Sequence, residues 1–170
     1  FGAEQEFYLF ELDEKNKPTS TPYDEAGYMD IAPEDRGENI RREICLTLEQ
    51  MGIRPESSHH EEGPGQNEID FRYSDARTAA DNTMTFQTVV KTVCRRNGVF
   101  VDFGPKPIYD KPGNGFDINM SVNTKLLNMY LGQVKIVRTL FVYLRQLANI
   151  AVRSFVHPTL PQTRILHLRL

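Results

Sequence analysis

The stretch Ser57-Ser58-His59-His60-Glu61-Glu62-Gly63-Pro64-Gly65-Gln66-Asn67-Glu68-Ile69-Asp70-Phe71 contains two strand-like segments on either side of a tight turn. Gly63-Pro64-Gly65 favours the turn, because glycine adopts positive φ without strain and proline fixes φ near about −65°. The turn is expected to place Glu61 and Glu68 on neighbouring antiparallel strands. Carboxylates that lie close together raise each other's pKa or require a cation between them. The hairpin is therefore a candidate metal site, and its oxygen ligands suit Mg²⁺ or Mn²⁺ better than zinc.

A second pair of acidic residues lies in the segment Gly2-Ala3-Glu4-Gln5-Glu6-Phe7-Tyr8-Leu9-Phe10, whose aromatic and apolar content predicts a strand. Glu4 and Glu6 are two positions apart, so both side chains point to the same face of that strand. One such pair is typical of a solvated strand face, whereas two pairs on separate strands favour a shared cation. The spacing alone leaves both interpretations open.

Apolar residues at intervals of three or four predict two amphipathic helices. The first begins at Asp35 or Arg36 and is stopped by Gly52, and its predicted buried face consists of Ile40, Ile44, Leu48 and Met51. Its charged positions, interpreted as a solvated face, are Glu38, Arg41, Arg42, Glu43 and Glu49. The second helix is capped by Ser74-Asp75 and extends to about Asn97-Gly98. Its predicted buried face consists of Ala79, Met84, Phe86, Val89, Val90 and Val93.

Two loops that contain glycine and proline follow the second helix. Val99–Phe103 is a predicted short strand that leads into Gly104-Pro105-Lys106-Pro107, where Lys106 is either a phosphate contact or a charged loop residue. Pro112-Gly113-Asn114-Gly115 precedes another predicted strand, Phe116–Val122. Glycines in such a loop let a ligand approach backbone N–H groups, although a plain turn has the same composition.

Charge is distributed unevenly along the 170 residues, whose formal net charge is −3. No acidic residue follows Asp117, and the basic residues after it are Lys125, Lys135, Arg138, Arg145, Arg153, Arg164 and Arg169. Thr124–Val156 has the periodicity of a long helix, and its basic residues argue against a membrane span. The aromatic pattern and the acidic core argue against a nucleic-acid partner. The tail is interpreted as a divergent or frame-shifted segment, with an ordinary basic amphipathic helix as the alternative.

The cysteines Cys45 and Cys94 lie in helix-like segments without metal-ligand spacing. They are interpreted as buried thiols, which fits a reducing cytoplasm. A cytoplasmic location is therefore expected. A chain of this length can form one domain with a substantial core.

Three motifs occur in the same order as in one known family: G-x-E-x-E-F-x-L-F, then S-H-H-E-x-x-P-G-Q-N-E-I-D-F, then P-K-P followed by a Gly-Asn-Gly loop. Together, over Gly2 to about Asn123, they resemble the catalytic domain of bacterial type I glutamine synthetase. The resemblance implies an α+β fold, a curved antiparallel sheet with flanking helices, as in the glutamine synthetase/guanido kinase catalytic fold. It also implies that residues 1–123 are the N-terminal part of that domain and residues 124–170 a basic helical tail.

The resemblance assigns roles residue by residue and names no catalytic acid or base. A first metal would be held by Glu6, Glu61 and Glu68, and a second by Glu4 and Asp117. Contacts with the nucleotide would be made by Glu56, Asn119 and Ser121, and Gly113 would contact the glutamate substrate. The sequence departs from the family at Asp117 and Asn119, which replace histidines, and at Pro112, which replaces an asparagine. Aspartate still ligates Mg²⁺ but alters charge and geometry, so the second metal site is expected to differ. Asn119 keeps a hydrogen-bonding group but cannot carry a charge. Pro112 is expected to alter the binding of glutamate at this loop.

The implied reaction joins glutamate and ammonia at the expense of ATP, through γ-glutamyl phosphate, with two or three Mg²⁺ or Mn²⁺ ions per site. The family assembles as a dodecamer of two hexameric rings, without a nucleic-acid or membrane partner. One alternative is a γ-glutamyl-polyamine ligase of the same superfamily, and another is a non-catalytic, structural relative. Because the family's domain is longer, the chain is interpreted as an internal fragment that is not expected to synthesise glutamine by itself.

Overall fold

The computed structural model describes residues 1–120. Predictions for Ser121, for the end of the last strand and for the tail therefore lie outside the described residues. The elements in chain order are β1 (Gly2–Leu12), β2 (Pro18–Pro22), α1 (Glu38–Gln50), β3 (Pro55–His60), β4 (Gln66–Phe71), α2 (Ala76–Arg96), β5 (Val99–Asp102) and β6 (Phe116–Asn119). In this part of the chain, neither helix is both long and apolar enough to cross a bilayer.

The sheet is organised around β1, and every strand pair in it is antiparallel. One edge of β1 pairs with β4, which in turn pairs with β3. Since Glu4 is in register with both Asp70 of β4 and Asp117 of β6, β6 lies on the opposite edge of β1. The predicted α+β class with an antiparallel sheet and flanking helices is confirmed.

Alternation along β1 separates an apolar face of the sheet from a polar one. Ala3, Phe7 and Leu9 are buried in one core cluster with residues of β4, α1 and α2. From α1 this core takes Ile40, Ile44 and Leu48, and from α2 it takes Phe86, Val89, Val90 and Val93. The helices thus cover one face of the sheet, and the acidic side chains of β1 occupy the other.

The helix boundaries follow the predicted signals at three of their four ends. Asp75 caps α2 by accepting hydrogen bonds from the backbone N–H groups of Arg77 and Thr78. Gly52 has φ of +82° after α1, as expected of a glycine that ends a helix. The start of α1 differs, since the helix begins at Glu38. The Asp35 carboxylate accepts a hydrogen bond from the N–H of Gly37, and this turn precedes the helix.

Three side chains depart from the predicted helix faces. Met51 is 55% exposed because it lies beyond the last turn of α1, and Met84 is 67% exposed. Met84 precedes Phe86 by two positions, about 200° around an α-helix, and so points away from the core. Arg41, predicted to lie on the solvated face, is only 4% exposed. Its guanidinium is buried against polar partners, Asp35, Ser58 and Asn67.

Candidate metal and substrate site

Strand register brings the acidic side chains of the polar face together. Glu6 lies opposite Glu68, and Glu4 lies opposite Asp70, in the β1–β4 pair. On the far side of β4, His59 lies opposite Glu68. Directly opposed residues point to the same face of an antiparallel pair. The register therefore builds one polar surface from three adjacent strands, with carboxylates from β1 and β4 and an imidazole from β3.

The predicted turn joins β3 to β4 and sets the position of Glu61. The backbone N–H of Glu61 donates to the carbonyl of Gln66 at 2.8 Å, and the N–H of Gln66 donates to the carbonyl of Gly63 at 2.9 Å. Gly65 has φ of +68°, and a Cβ there would lie 2.6 Å from the carbonyl oxygen of Leu9. The turn is therefore packed directly against β1, which leaves Glu61 buried at the end of the hairpin.

The first candidate ligand group is His59, Glu61 and Glu68. The His59 Nε2 atom lies 2.9 Å from Glu61 Oε1 and 3.4 Å from Glu68 Oε2. One potential ligand atom from each residue lies within 4.8 Å of the others. Of the predicted metal ligands, Glu61 and Glu68 are thus brought together, and His59 adds a nitrogen donor that the prediction did not assign.

A second group consists of Glu4, Glu68 and Asp70, which also offer ligand atoms within 4.8 Å of one another and share Glu68 with the first group. Asp70 accepts a hydrogen bond from Ser57 through Oδ2, whereas its buried Oδ1 has no hydrogen-bond partner among the described residues. Asp70 was missed by the sequence analysis, although it follows Glu68 by two positions, as Glu6 follows Glu4. The same rule of strand alternation would have found it.

Glu68 lies close to carboxylates of both groups, and their negative charges disfavour its ionised form. Burial, and then the carboxylates of Asp70 and Glu61, raise the pKa of Glu68 to about 10. Carboxylates this close need a bound proton or a bound cation. Several carboxylate oxygens with one imidazole are a donor set that Mg²⁺ or Mn²⁺ accepts. The residues present therefore fit the divalent ions implied by the sequence.

Glu6 belongs to neither of these groups among the described residues. Its Oε2 atom accepts hydrogen bonds from Gln66 Nε2 at 2.7 Å and from the backbone N–H of Gly115 at 2.8 Å. The carboxylate therefore contacts the glycine loop, although its backbone lies opposite Glu68. This places a predicted metal ligand against the loop predicted to contact the substrate.

The glycine loop, defined as Pro112–Gly115, is attached to the sheet at several points. Tyr8 Oη donates to the carbonyl of Pro112 at 2.7 Å, and Gln66 Nε2 donates to the carbonyl of Gly113 at 3.1 Å. Asn114 donates to the carbonyls of Asp102 and Gly104. A Cβ at Gly113 would lie 2.5 Å from the carbonyl oxygen of Pro105. The loop is a docked element with both backbone and side-chain anchors.

The remaining predicted residues take different positions. Asp117 is exposed and lies opposite Glu4 in register, while Asn119 donates a hydrogen bond to Glu4 Oε1. Glu56 is exposed at the irregularity between Pro55 and Ser57, where β3 pairs with β4. Lys106 is exposed and donates to the carbonyl of Lys111. The roles of these side chains toward nucleotide or metal stay predictions.

Beneath the hairpin lies a buried polar network that sequence reasoning missed. His60 is 0% exposed; its Nδ1 lies 2.7 Å from the carbonyl of Glu61 and its Nε2 lies 2.9 Å from Asp24 Oδ1. Arg41 contacts Asp35, Ser58 and Asn67. These partners are 36 positions apart for His60 and Asp24 and 26 for Arg41 and Asn67. No local sequence pattern signals such pairs.

Burial lowers the pKa of His60, but the hydrogen bonds to Asp24 and to the Glu61 carbonyl and the charges of Asp24 and Asp35 outweigh it, so the pKa is raised. Burial raises the pKa of Asp24, but the hydrogen bond and charge of His60 and the N–H groups of Gly65 and Arg36 lower it overall. A carbonyl only accepts, so His60 Nδ1 carries a proton. The Asp24–His60 contact is therefore an ion pair when His60 is protonated.

Asp24→Asn should destabilise the chain most between about pH 4 and pH 6.5. The lowered pKa of Asp24 contributes stability that is lost as pH falls through its folded-state value. The raised pKa of His60 contributes stability that is lost as pH rises through its folded-state value. Urea unfolding in EDTA at pH 5.5 should show a loss of about 1–3 kcal/mol, with a smaller loss at pH 9. The exposed neighbour Glu25→Gln is the control, and an equal loss at both pH values would contradict the ion pair.

Comparison with known proteins places these features in one family. The family model described as glutamine synthetase, catalytic domain, matches residues 1–137. Glutamine synthetase of Clostridium saccharobutylicum is 54% identical over 121 residues, which cover 71% of this chain and 27% of that protein. Glutamine synthetase of Staphylococcus aureus is 53% identical over 121 residues, with the same coverage. The chain thus spans about 27% of the length of these curated relatives.

Solved structures agree with the sequence relatives. The cryo-electron-microscopy structure of Plasmodium falciparum glutamine synthetase matches with a TM-score of 0.59 and 27% identity, covering 68% of this chain and 28% of that one. A structure of apo GmaS without ligand matches with a TM-score of 0.59 and 32% identity, covering 68% of this chain and 27% of that one. The family model and the sequence relatives together establish that this chain belongs to the glutamine synthetase family and contains part of its catalytic domain.

Proposed function

We propose that this chain is part of an ATP-dependent glutamate–ammonia ligase that forms glutamine through γ-glutamyl phosphate. The observation that carries the proposal is the sharing of Glu68 between two ligand groups, one completed by His59 and Glu61 of the hairpin and the other by Asp70 and by Glu4 of β1. Two divalent ions side by side are a common arrangement for phosphoryl transfer. The relatives named glutamine synthetase support the same chemistry.

In this proposal the first metal is Mg²⁺ or Mn²⁺ held by Glu6, Glu61 and Glu68, and the second is held by Glu4 and Asp117. When bound, the ions neutralise negative charge on the phosphates and on the substrate carboxylate. The convergence of Glu61 and Glu68 supports the first site. The register of Glu4 with Asp117 supports the second, because opposed residues share a face of the sheet.

The chain's own residues act by positioning the reactants. The carboxylates of the acidic face would repel the anions ATP and glutamate unless bound cations neutralised their charge. Gly113 would contact the glutamate backbone from a loop held by Tyr8 and Gln66. ATP would be contacted by Glu56, Asn119 and Ser121. These contacts would hold ATP and glutamate in a fixed relative orientation, and such positioning is a main contribution of the protein to phosphoryl transfer.

The location, the assembly and the substrates of the protein are part of the same proposal. The protein would act in the cytoplasm as a homo-oligomer, a dodecamer of two stacked hexameric rings, with glutamate, ammonia and ATP as substrates. Two features of the sequence favour a non-catalytic relative instead, the divergent tail and Asp117 in place of the family's histidine. Asp117 is exposed, so a weaker second metal site is the expected consequence.

Calorimetric titration with Mn²⁺ tests the metal site directly. We expect binding in the micromolar range for the natural chain, at least about tenfold weaker binding for Glu61→Ala, and a tighter second site for Asp117→His, because imidazole binds Mn²⁺ well. Glu62→Ala is the matched control, since Glu62 adjoins Glu61, is exposed and belongs to neither ligand group. An equal loss of Mn²⁺ affinity in Glu62→Ala, or no binding by the natural chain, would refute the site.

A further inference from the structure

The Gln66 side chain links the acidic face of the sheet to the glycine loop, and both the oxygen and the nitrogen of its amide are hydrogen-bonded. It is 1% exposed. Its Oε1 accepts from the backbone N–H of Gly63 at 3.0 Å. Its Nε2 donates to Glu6 Oε2 at 2.7 Å and to the carbonyl of Gly113 at 3.1 Å. Because a carboxylate and a carbonyl only accept, the amide orientation is fixed by its partners.

Glu6 and the loop also contact each other directly. The N–H of Gly115 donates to Glu6 Oε2 at 2.8 Å, and the backbone N–H of Glu6 donates to the carbonyl of Gly115 at 3.1 Å. Two donors on the same oxygen restrict rotation of that carboxylate. One of these donors, Gln66, also holds Gly113, so the carboxylate cannot rotate without disturbing the loop.

We propose that Gln66 is a positioning residue that couples cation binding at Glu6 to the conformation of the Pro112–Gly115 loop, and so to binding of the amino-acid substrate at that loop. The proposal rests on the proposed function. The hydrogen bonds from Gln66 and Gly115 hold the Glu6 carboxylate in one orientation before a cation binds, and hydrogen-bonding partners of this kind strengthen a metal ligand. Any free energy that cation binding transfers to the loop must act equally in reverse. A loop held by substrate would thereby raise the affinity of the cation.

Tyr8 offers a second point at which to loosen the loop. Its hydroxyl donates to the carbonyl of Pro112, at the opposite end of the loop from the Gly115 contact. Tyr8 is 0% exposed and its ring stacks on Phe10. Tyr8→Phe removes this anchor without changing any carboxylate. If the loop and the cation are coupled, loss of this loop anchor must also weaken cation binding.

The experiment is a Mg²⁺ titration of the full ¹⁵N-labelled chain, followed by the amide signals of Gly113 and Gly115. In the natural chain both signals should shift with one apparent Kd. In Gln66→Met, which keeps volume but removes the amide, Mg²⁺ binding should weaken about tenfold or more and the Gly113 shift should disappear. Tyr8→Phe should weaken binding about twofold to fivefold, near the lower limit of typical coupling.

Gln5→Met is the matched control, because Gln5 is also buried, at 6% exposure, and within residues 1–120 its Oε1 has no hydrogen-bond partner. It should retain the Mg²⁺ affinity and both glycine shifts of the natural chain. Natural responses in Gln66→Met, unchanged affinity in Tyr8→Phe, or equal losses in Gln5→Met would overturn the coupling alone. Absence of any Mg²⁺ response in the natural chain would refute the proposed function and the coupling together.

Discussion

Arg41→Met is expected to lower the free energy of unfolding by about 3–5 kcal/mol, because it leaves a buried charge without its partner. The Arg41 and Asp35 side chains are 5% and 1% exposed, and Arg41 also contacts Asn67 and Ser58. Methionine fills a similar volume but satisfies none of these acceptors. Urea denaturation followed by circular dichroism in EDTA measures the loss.

Arg42→Met is the control for this prediction, because Arg42 is the exposed neighbour of Arg41 on the same helix. Its effect should stay within about 0.5 kcal/mol. Adding Asp35→Asn to Arg41→Met should recover part of the stability, since the unpaired charge is then removed. Strictly additive losses in the double variant would show that the two side chains do not interact.

Gly63→Ala is expected to have the second large effect. A Cβ at this position would lie 1.9 Å from Tyr8 Oη and 2.7 Å from Tyr8 Cζ. Tyr8 is fully buried and hydrogen-bonded to Pro112, so relief requires movement of the ring and of the glycine loop. We expect a loss of about 3 kcal/mol or more in unfolding free energy, together with weaker Mn²⁺ binding, since Gly63 lies between Glu61 and Glu68.

Gly2→Ala is the matched control on the central strand, where the nearest atom to the added Cβ is 3.7 Å away. It should unfold like the natural chain. Combining Gly63→Ala with Tyr8→Phe should recover part of the loss, because the closest clash is with the hydroxyl. Natural stability and Mn²⁺ affinity in Gly63→Ala would contradict the packing of the turn against Tyr8.

Much of the candidate site could be predicted because its chemistry is local in sequence. Strand alternation places Glu4 with Glu6, and the glycine-rich turn folds Glu61 back toward Glu68. The same alternation relates Glu68 to Asp70, which the sequence analysis did not use. The orientation of the Glu6 carboxylate could not be predicted, since it depends on Gln66 and Gly115, which lie 60 and 109 positions away.

The sequence by itself determined the hairpin, the extent of the second helix and the apolar face of the central strand. Each of these follows from interactions among near neighbours: glycine in a turn, an aspartate cap, or alternation along a strand. Only the tertiary structure decided that Arg41 is buried, that Glu68 is shared by two ligand groups and that Gln66 joins Glu6 to Gly113. Periodicity specifies the face on which a side chain lies. Which polar group it meets there depends on distant segments, because a buried charge or amide must find partners wherever the fold supplies them.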